Sequence, residues 1–131
     1  MSIETDAPPL SIADAAAVSG LTAHTLRYYE RDGLMLDAVD RAPSGHRRYT
    51  AADLGWIRMI TRLRSTGMPI REVRAYAALV RAGEGNELAR LELLRAHRDR
   101  VIAQLAEVNE NLEAIELKVR IYEDKLAGST S

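Results

Sequence analysis

The sequence predicts a mostly α-helical protein, with short helices in front, a helix-turn-helix pair among them, and one long helix behind. Three observations predict it. Glycine and proline recur at short intervals as far as Gly85 and then not until Gly128. Between those marks the apolar residues keep helical spacing. From Leu91 to Leu126 the spacing becomes a sustained alternation of three and four residues, the mark of a coiled-coil seam.

Taken in order, Ser11 is placed to cap a short helix, Ile12–Val18, which Ser19 and Gly20 break. Thr22 caps a second helix running to about Asp32, and Gly33 stands where a left-handed residue is wanted after its end. Two short helices joined by a tight glycine turn are a helix-turn-helix pattern. Leu34–Leu36 and Arg47–Tyr49 flank a polar stretch and predict a small two-stranded ribbon, its loop built around Arg41, Pro43 and Gly45. Thr50 to Asp53 has capping-box spacing and starts a third helix to about Ser65, with Leu54, Ile57, Ile60 (or Trp56) and Leu63 facing inward. Pro69 suits the first turn of a fourth helix carrying Ile70, Val73, Ala77 and Val80.

The last helix is predicted over residues 86–126. Its seam runs Leu91, Leu94, Arg98, Val101, Leu105, Val108, Leu112, Ile115, Val119, Tyr122 and Leu126, apolar at every position but Arg98. Such a helix is about 60 Å long at ~1.5 Å per residue, more than the preceding residues can cover. It needs a partner, and a second copy of the chain is the simplest one. The spacing does not identify an acid to pair with Arg98. Residues 1–9 and 127–131 read as flexible ends, residues 10–80 as one domain and residues 86–126 as the dimerisation helix.

Composition narrows the function. The 131 residues are the size of one domain, and no apolar run approaches the ~20 residues of a membrane span. The N-terminal stretch lacks the basic and apolar regions of a signal peptide, so a cytoplasmic location is expected. There is no cysteine, hence no disulfide, thiolate metal site or cysteine nucleophile. The histidines 24, 46 and 97 lack metal-ligand spacing, and the acid pairs Asp37/Asp40 and Glu84/Glu87 have no surroundings that tune a catalytic carboxylate. No phosphate loop or dinucleotide fingerprint is present. The expectation is a protein that is not an enzyme and carries neither metal nor cofactor.

Net charge is −1, but its distribution is uneven. Between Arg41 and Arg64 six arginines face a single acid, Asp53, while acids outnumber bases from Ala75 onward. One part of the chain is thus suited to a polyanion and another to protein. In the second helix His24, Arg27, Tyr28 and Arg31 share a face, with Leu26 and Tyr29 on another. Two arginines, a histidine and a tyrosine behind the Thr22 cap, with Thr22 itself counted among the candidate DNA contacts, suit a major-groove reader, although a solvated helix face has the same composition. Arg47, Arg48 and Tyr49 form a ribbon end fit to lie along a phosphate backbone, with Tyr49 packing inward while an arginine reaches out.

Leu26–Leu34 (LRYYERDGL), then Arg41, Ser44–Tyr49 (SGHRRY), Asp53-Leu54 and Arg64–Val73 (RSTGMPIREV) resemble, in order, the MerR (mercury-resistance regulator) family of bacterial transcription factors. The resemblance covers roughly residues 10–80, and the terminal coiled coil matches the family's dimerisation helix in position and character. It implies a winged helix-turn-helix domain and an antiparallel coiled-coil homodimer. It also implies double-stranded promoter DNA as partner, bound and distorted so that RNA polymerase is affected through the promoter. By position, Arg27 and Tyr28 fall on the recognition helix, Arg47 on the wing and His24 at a variable contact position. Tyr29 is carried over as well, as a core residue with its hydroxyl at a phosphate. His46 stands where the family usually has tyrosine.

The family's usual C-terminal effector region is not expected here, since the chain stops shortly after Leu126, and the effector is unknown. Tyr76, Leu79 and Val80, with Ile102, Leu117 and Ile121, form a candidate cleft for a small hydrophobic ligand, although packing of a dimer accounts for the same residues and is favoured. Two rival readings remain at this level: a coiled-coil adaptor using its helix-turn-helix for protein contacts, and a regulator that senses a small hydrophobe.

Overall fold

The structure, a computed structural model, describes residues 8–36 and 40–129. The elements are α1 (Ile12–Ser19), α2 (Ala23–Arg31), β1 (Asp40–Arg41), β2 (Arg47–Arg48), α3 (Ala51–Ser65), α4 (Ile70–Arg81) and α5 (Glu87–Ser129). The chain divides into two compact units, Met1–Leu93 and Leu94–Ser131.

The helix ends follow from local chemistry. Ser11, Thr22 and Thr50 each accept a hydrogen bond from the backbone three residues on, and Asp53 completes the capping box by accepting from the Thr50 N–H at 2.9 Å. At the end of α2 the Leu34 N–H reaches back to the Tyr29 carbonyl at 3.0 Å, with Gly33 at φ +73°. The end of α3 repeats this arrangement, Met68 N–H to the Leu63 carbonyl at 2.9 Å. Each is a Schellman closure, in which a buried apolar residue, Leu34 or Met68, locks the chain against the helix it has just left. Asn86 precedes α5 and ties it to α4, donating to the Leu79 carbonyl at 2.8 Å and accepting from Arg90 Nε at 2.6 Å.

In the first unit α1 packs on α2 and α3, and α3 on α4. The core holds Ala15, Leu26, Tyr29, Leu34, Met35, Tyr49, Ile57, Ile60, Leu63, Met68, Val73 and Ala77. Ile57, Ile60 and Leu63 are the buried face of α3, while Leu54 and Trp56 are half-buried. Trp56 donates its indole N–H to the Leu34 carbonyl at 2.6 Å and stacks on Tyr76, centroids 5.7 Å apart.

Two expectations need correction. The ribbon does not begin at Leu34–Leu36, because Leu34 and Met35 are taken into the core by the Schellman turn. Its first strand is Asp40–Arg41, paired antiparallel with Arg47–Arg48 in the register Asp40↔Arg48 and Arg41↔Arg47. A backbone bridge between Leu10 and Tyr49, with N–H···O distances of 2.8 Å both ways, adjoins it. The last helix also outruns its predicted end, staying helical through Ser129 where residues 127–131 were expected to be a flexible tail. No proline lies there, and the side chain of Ser129 donates back to the Leu126 carbonyl at 2.9 Å. Residues 1–7, 37–39 and 130–131, which include most of the expected N-terminal tail, lie outside the described residues.

In the second unit the predicted seam is open to solvent. Leu105, Val108, Leu112, Ile115, Val119, Tyr122 and Leu126 are all exposed, and Val101 is half-buried; the one buried side chain of α5 is His97. In the α5 turns that belong to the first unit, Leu91 is exposed as well. Among the described residues no helix is long and apolar enough to cross a membrane.

Candidate nucleic-acid interface

The exposed face of α2 is built as its spacing predicts. Leu26 and Tyr29 point into the core, which turns His24, Arg27, Tyr28 and Arg31 outward. Thr22 stands exposed at the head of the helix, its hydroxyl accepting the Thr25 N–H at 3.0 Å. Its geometry accounts for it as a cap.

The wing is braced against α2 by charge. Glu30, on the last turn of α2, accepts a hydrogen bond from Arg47 Nε, and Arg41 Nη2 lies 3.6 Å from its other oxygen. Arg41 also donates to the Gly45 carbonyl at 2.9 Å, closing the turn of the ribbon, where Ser44 and His46 share a further hydrogen bond of 2.9 Å. Arg48 alternates with Arg47 and is exposed. The wing and the outer face of α2 therefore belong to one unit and present Arg27, Arg31 and Arg48 to solvent.

Two tyrosines grouped with this surface lie elsewhere. The Tyr29 ring is buried in the core beneath Tyr28, with centroids 6.2 Å apart. Tyr49 is 1% exposed and its hydroxyl is buried without a hydrogen-bond partner among the described residues. The rings of both thus belong to the core, because the Leu26–Tyr29 face and the Leu10–Tyr49 bridge turn them inward. Burial pushes the Tyr49 phenol above its usual pKa, and the Glu30 carboxylate adds to the effect.

The spacing of the sequence missed the residues that hold α2 in place. Arg74 of α4 donates to the Asp32 carboxylate through Nε at 2.8 Å and through a terminal nitrogen; that carboxylate raises the guanidinium pKa further, with Tyr28 contributing. Arg81 donates to the carbonyls of Gly33 and Met35 at 2.7 and 2.8 Å, covering the acceptors that follow the end of α2. Of the proposed cleft residues, Tyr76 is engaged with Trp56, while Leu79 and Val80 are half-buried. No group of His, Asp and Glu able to hold a metal ion occurs among the described residues.

The helix α2 with its basic outer face, the braced two-stranded wing, and α1, α3 and most of α4 lie within the stretch, residues 10–79, that matches the MerR HTH family regulatory proteins. The chain belongs to the MerR family. The MerR DNA-binding family description matches residues 54–116 as well, reaching into the long helix of this MerR-family chain. An HTH-type transcriptional regulator of Haemophilus influenzae is 34% identical over 111 residues, covering 85% of this chain and 82% of the relative. The regulator AdhR of Bacillus subtilis is 41% identical over 93 residues, covering 71% and 66%. Among solved structures, a MerR family transcriptional regulator from Listeria monocytogenes superimposes with a TM-score of 0.83 at 36% identity, covering 92% of this chain and 91% of that one. HiNmlR, a MerR family regulator lacking the sensor domain and bound to promoter DNA, gives 0.80 at 33% identity, covering 91% and 94%.

Proposed function

We propose that this MerR-family chain acts as a homodimeric regulator of transcription that binds an operator in promoter DNA and distorts it, affecting RNA polymerase through the promoter. The observation that carries the reading is the outward face of α2, His24, Arg27, Tyr28 and Arg31, with the arginine-bearing wing in the same unit. An α-helix fits the major groove, where arginine reads guanine bidentately or holds phosphate; Tyr28 and His24 add backbone or base-edge contacts. The wing arginines carry no base information and serve to set register along the backbone.

The dimer follows from α5. An apolar seam repeated over several heptads and left exposed along a 43-residue helix gains a partner at ~1.5–3 kcal/mol per fully buried large side chain. The two copies pair antiparallel in this reading through Leu91, Leu94, Val101, Leu105, Val108, Leu112, Ile115, Val119 and Tyr122, and a twofold protein so formed presents two recognition helices to a twofold operator.

Footprinting on the promoter region upstream of the protein's own gene tests it. The expected result is a protected site with inverted-repeat symmetry. A uniform, sequence-indifferent footprint, or none, contradicts it and favours an adaptor that uses the same fold to bind protein.

A further inference from the structure

The wing is too small to hold its own position. Its strands have two residues each, and an isolated two-stranded hairpin is marginal even when longer. Its place beside α2 depends on contacts from outside the ribbon, and one carboxylate supplies a contact to both strands. Glu30 meets Arg41 of β1 with one oxygen and Arg47 of β2 with the other, and Arg41 carries the brace on to the turn at Gly45. The Glu30 and Arg47 side chains are only 19% and 22% exposed, so water competes less for this pair than for an ordinary surface one. Two guanidinium groups on one carboxylate leave a positive charge uncompensated.

We propose that Glu30 is a positioning residue for DNA binding, orienting Arg47 as a phosphate clamp. Glu30 takes the Nε–H of Arg47. The end of the guanidinium, with the four N–H groups of its terminal nitrogens, has no protein partner among the described residues and remains for a phosphate oxygen. An acid in a DNA-facing unit thereby strengthens binding, because it fixes the direction of an arginine that would otherwise sample many rotamers. The inference rests on the DNA-binding reading above.

The test compares the wild-type chain with Glu30→Gln, Glu30→Asp, Arg47→Ala and the double variant Glu30→Gln/Arg47→Ala. Each is titrated at several salt concentrations against a duplex that the wild type selects from a random pool, and each is melted thermally. Removing a negative charge beside DNA should by simple electrostatics tighten binding. The expectation here is the opposite: Glu30→Gln binds about tenfold more weakly, its salt slope is shallower by about one per protomer, and the double variant is no worse than Arg47→Ala alone. Glu30→Asp, which keeps the charge, recovers part of the loss and serves alone if the glutamine variant does not fold. Binding by Glu30→Gln as tight as wild type, losses that add in the double variant, or a lowered melting temperature with unchanged affinity overturns the proposal. A wild-type chain that selects no duplex overturns the DNA-binding reading itself, a result distinct from any difference among the variants.

Discussion

Tyr49 shows how a single position separates packing from contact. Its ring fills the core at the base of the wing while its hydroxyl lies buried without a partner among the described residues. A buried polar group left unsatisfied costs about 1–3 kcal/mol, so Tyr49→Phe is expected to leave stability unchanged or to raise it by about 1 kcal/mol, as read by chemical denaturation. The two proteins should also part at high pH. The folded phenol has a raised pKa, so folding is favoured fully below the unfolded tyrosine value near 10 and loses this contribution as pH rises beyond it. Wild type is expected to lose stability through that alkaline window faster than Tyr49→Phe; parallel curves would mean that the hydroxyl is solvated in the folded chain. The sequence made Tyr49 legible as an inward residue beside an outward arginine, because alternation along a strand requires it. The identity of the arginine's partner was not legible, since Glu30 lies 17 residues away from Arg47 and nothing local points to it.

Helix ends were the most legible elements, because caps are local chemistry. Ser11, Thr22 and Thr50 are read from residue type and offset alone, and the structure uses all three. Thr50→Ala removes one half of the α3 capping box and should cost about 1 kcal/mol of unfolding free energy. No loss on denaturation would show that Asp53 alone suffices. Gly20 has φ +75° with open space around it, so Gly20→Ala meets no side chain and should cost about 1–2 kcal/mol through the backbone alone. The ribbon was less legible: Leu34 and Met35 have the look of a strand, but the pull of the core after the α2 turn outweighs a three-residue strand propensity. The clamps on α2 from Arg74 and Arg81 escaped notice for a different reason, as their partners lie 42 to 48 residues away in sequence.

At the scale of the whole molecule, the two units divide the work that the charge distribution assigns to them. The first unit carries the arginine-rich stretch and the basic outer face of α2, the second an exposed apolar seam with acids around it. Arg98, the one polar residue in that seam, is exposed and pairs with its neighbour Asp99 at 3.1 Å within the same chain. Leu105→Asp and Leu112→Asp each place a charge in the seam and are expected to give monomers by analytical ultracentrifugation. Their operator affinity should fall at least tenfold, since each monomer then binds one half-site without its partner. A variant that stayed dimeric would mean that the seam faces elsewhere.

The salt dependence of binding bears most directly on the claim that α2 and the wing grip DNA. Affinity for the selected duplex would be measured from low to moderate salt for the wild type and for Arg27→Ala. The account predicts a steep fall of wild-type affinity with salt, and for the variant both weaker binding, by about 1–3 kcal/mol, and a shallower slope. Equal affinity and equal slope for the two proteins would remove the outer face of α2 from the interface and contradict the account.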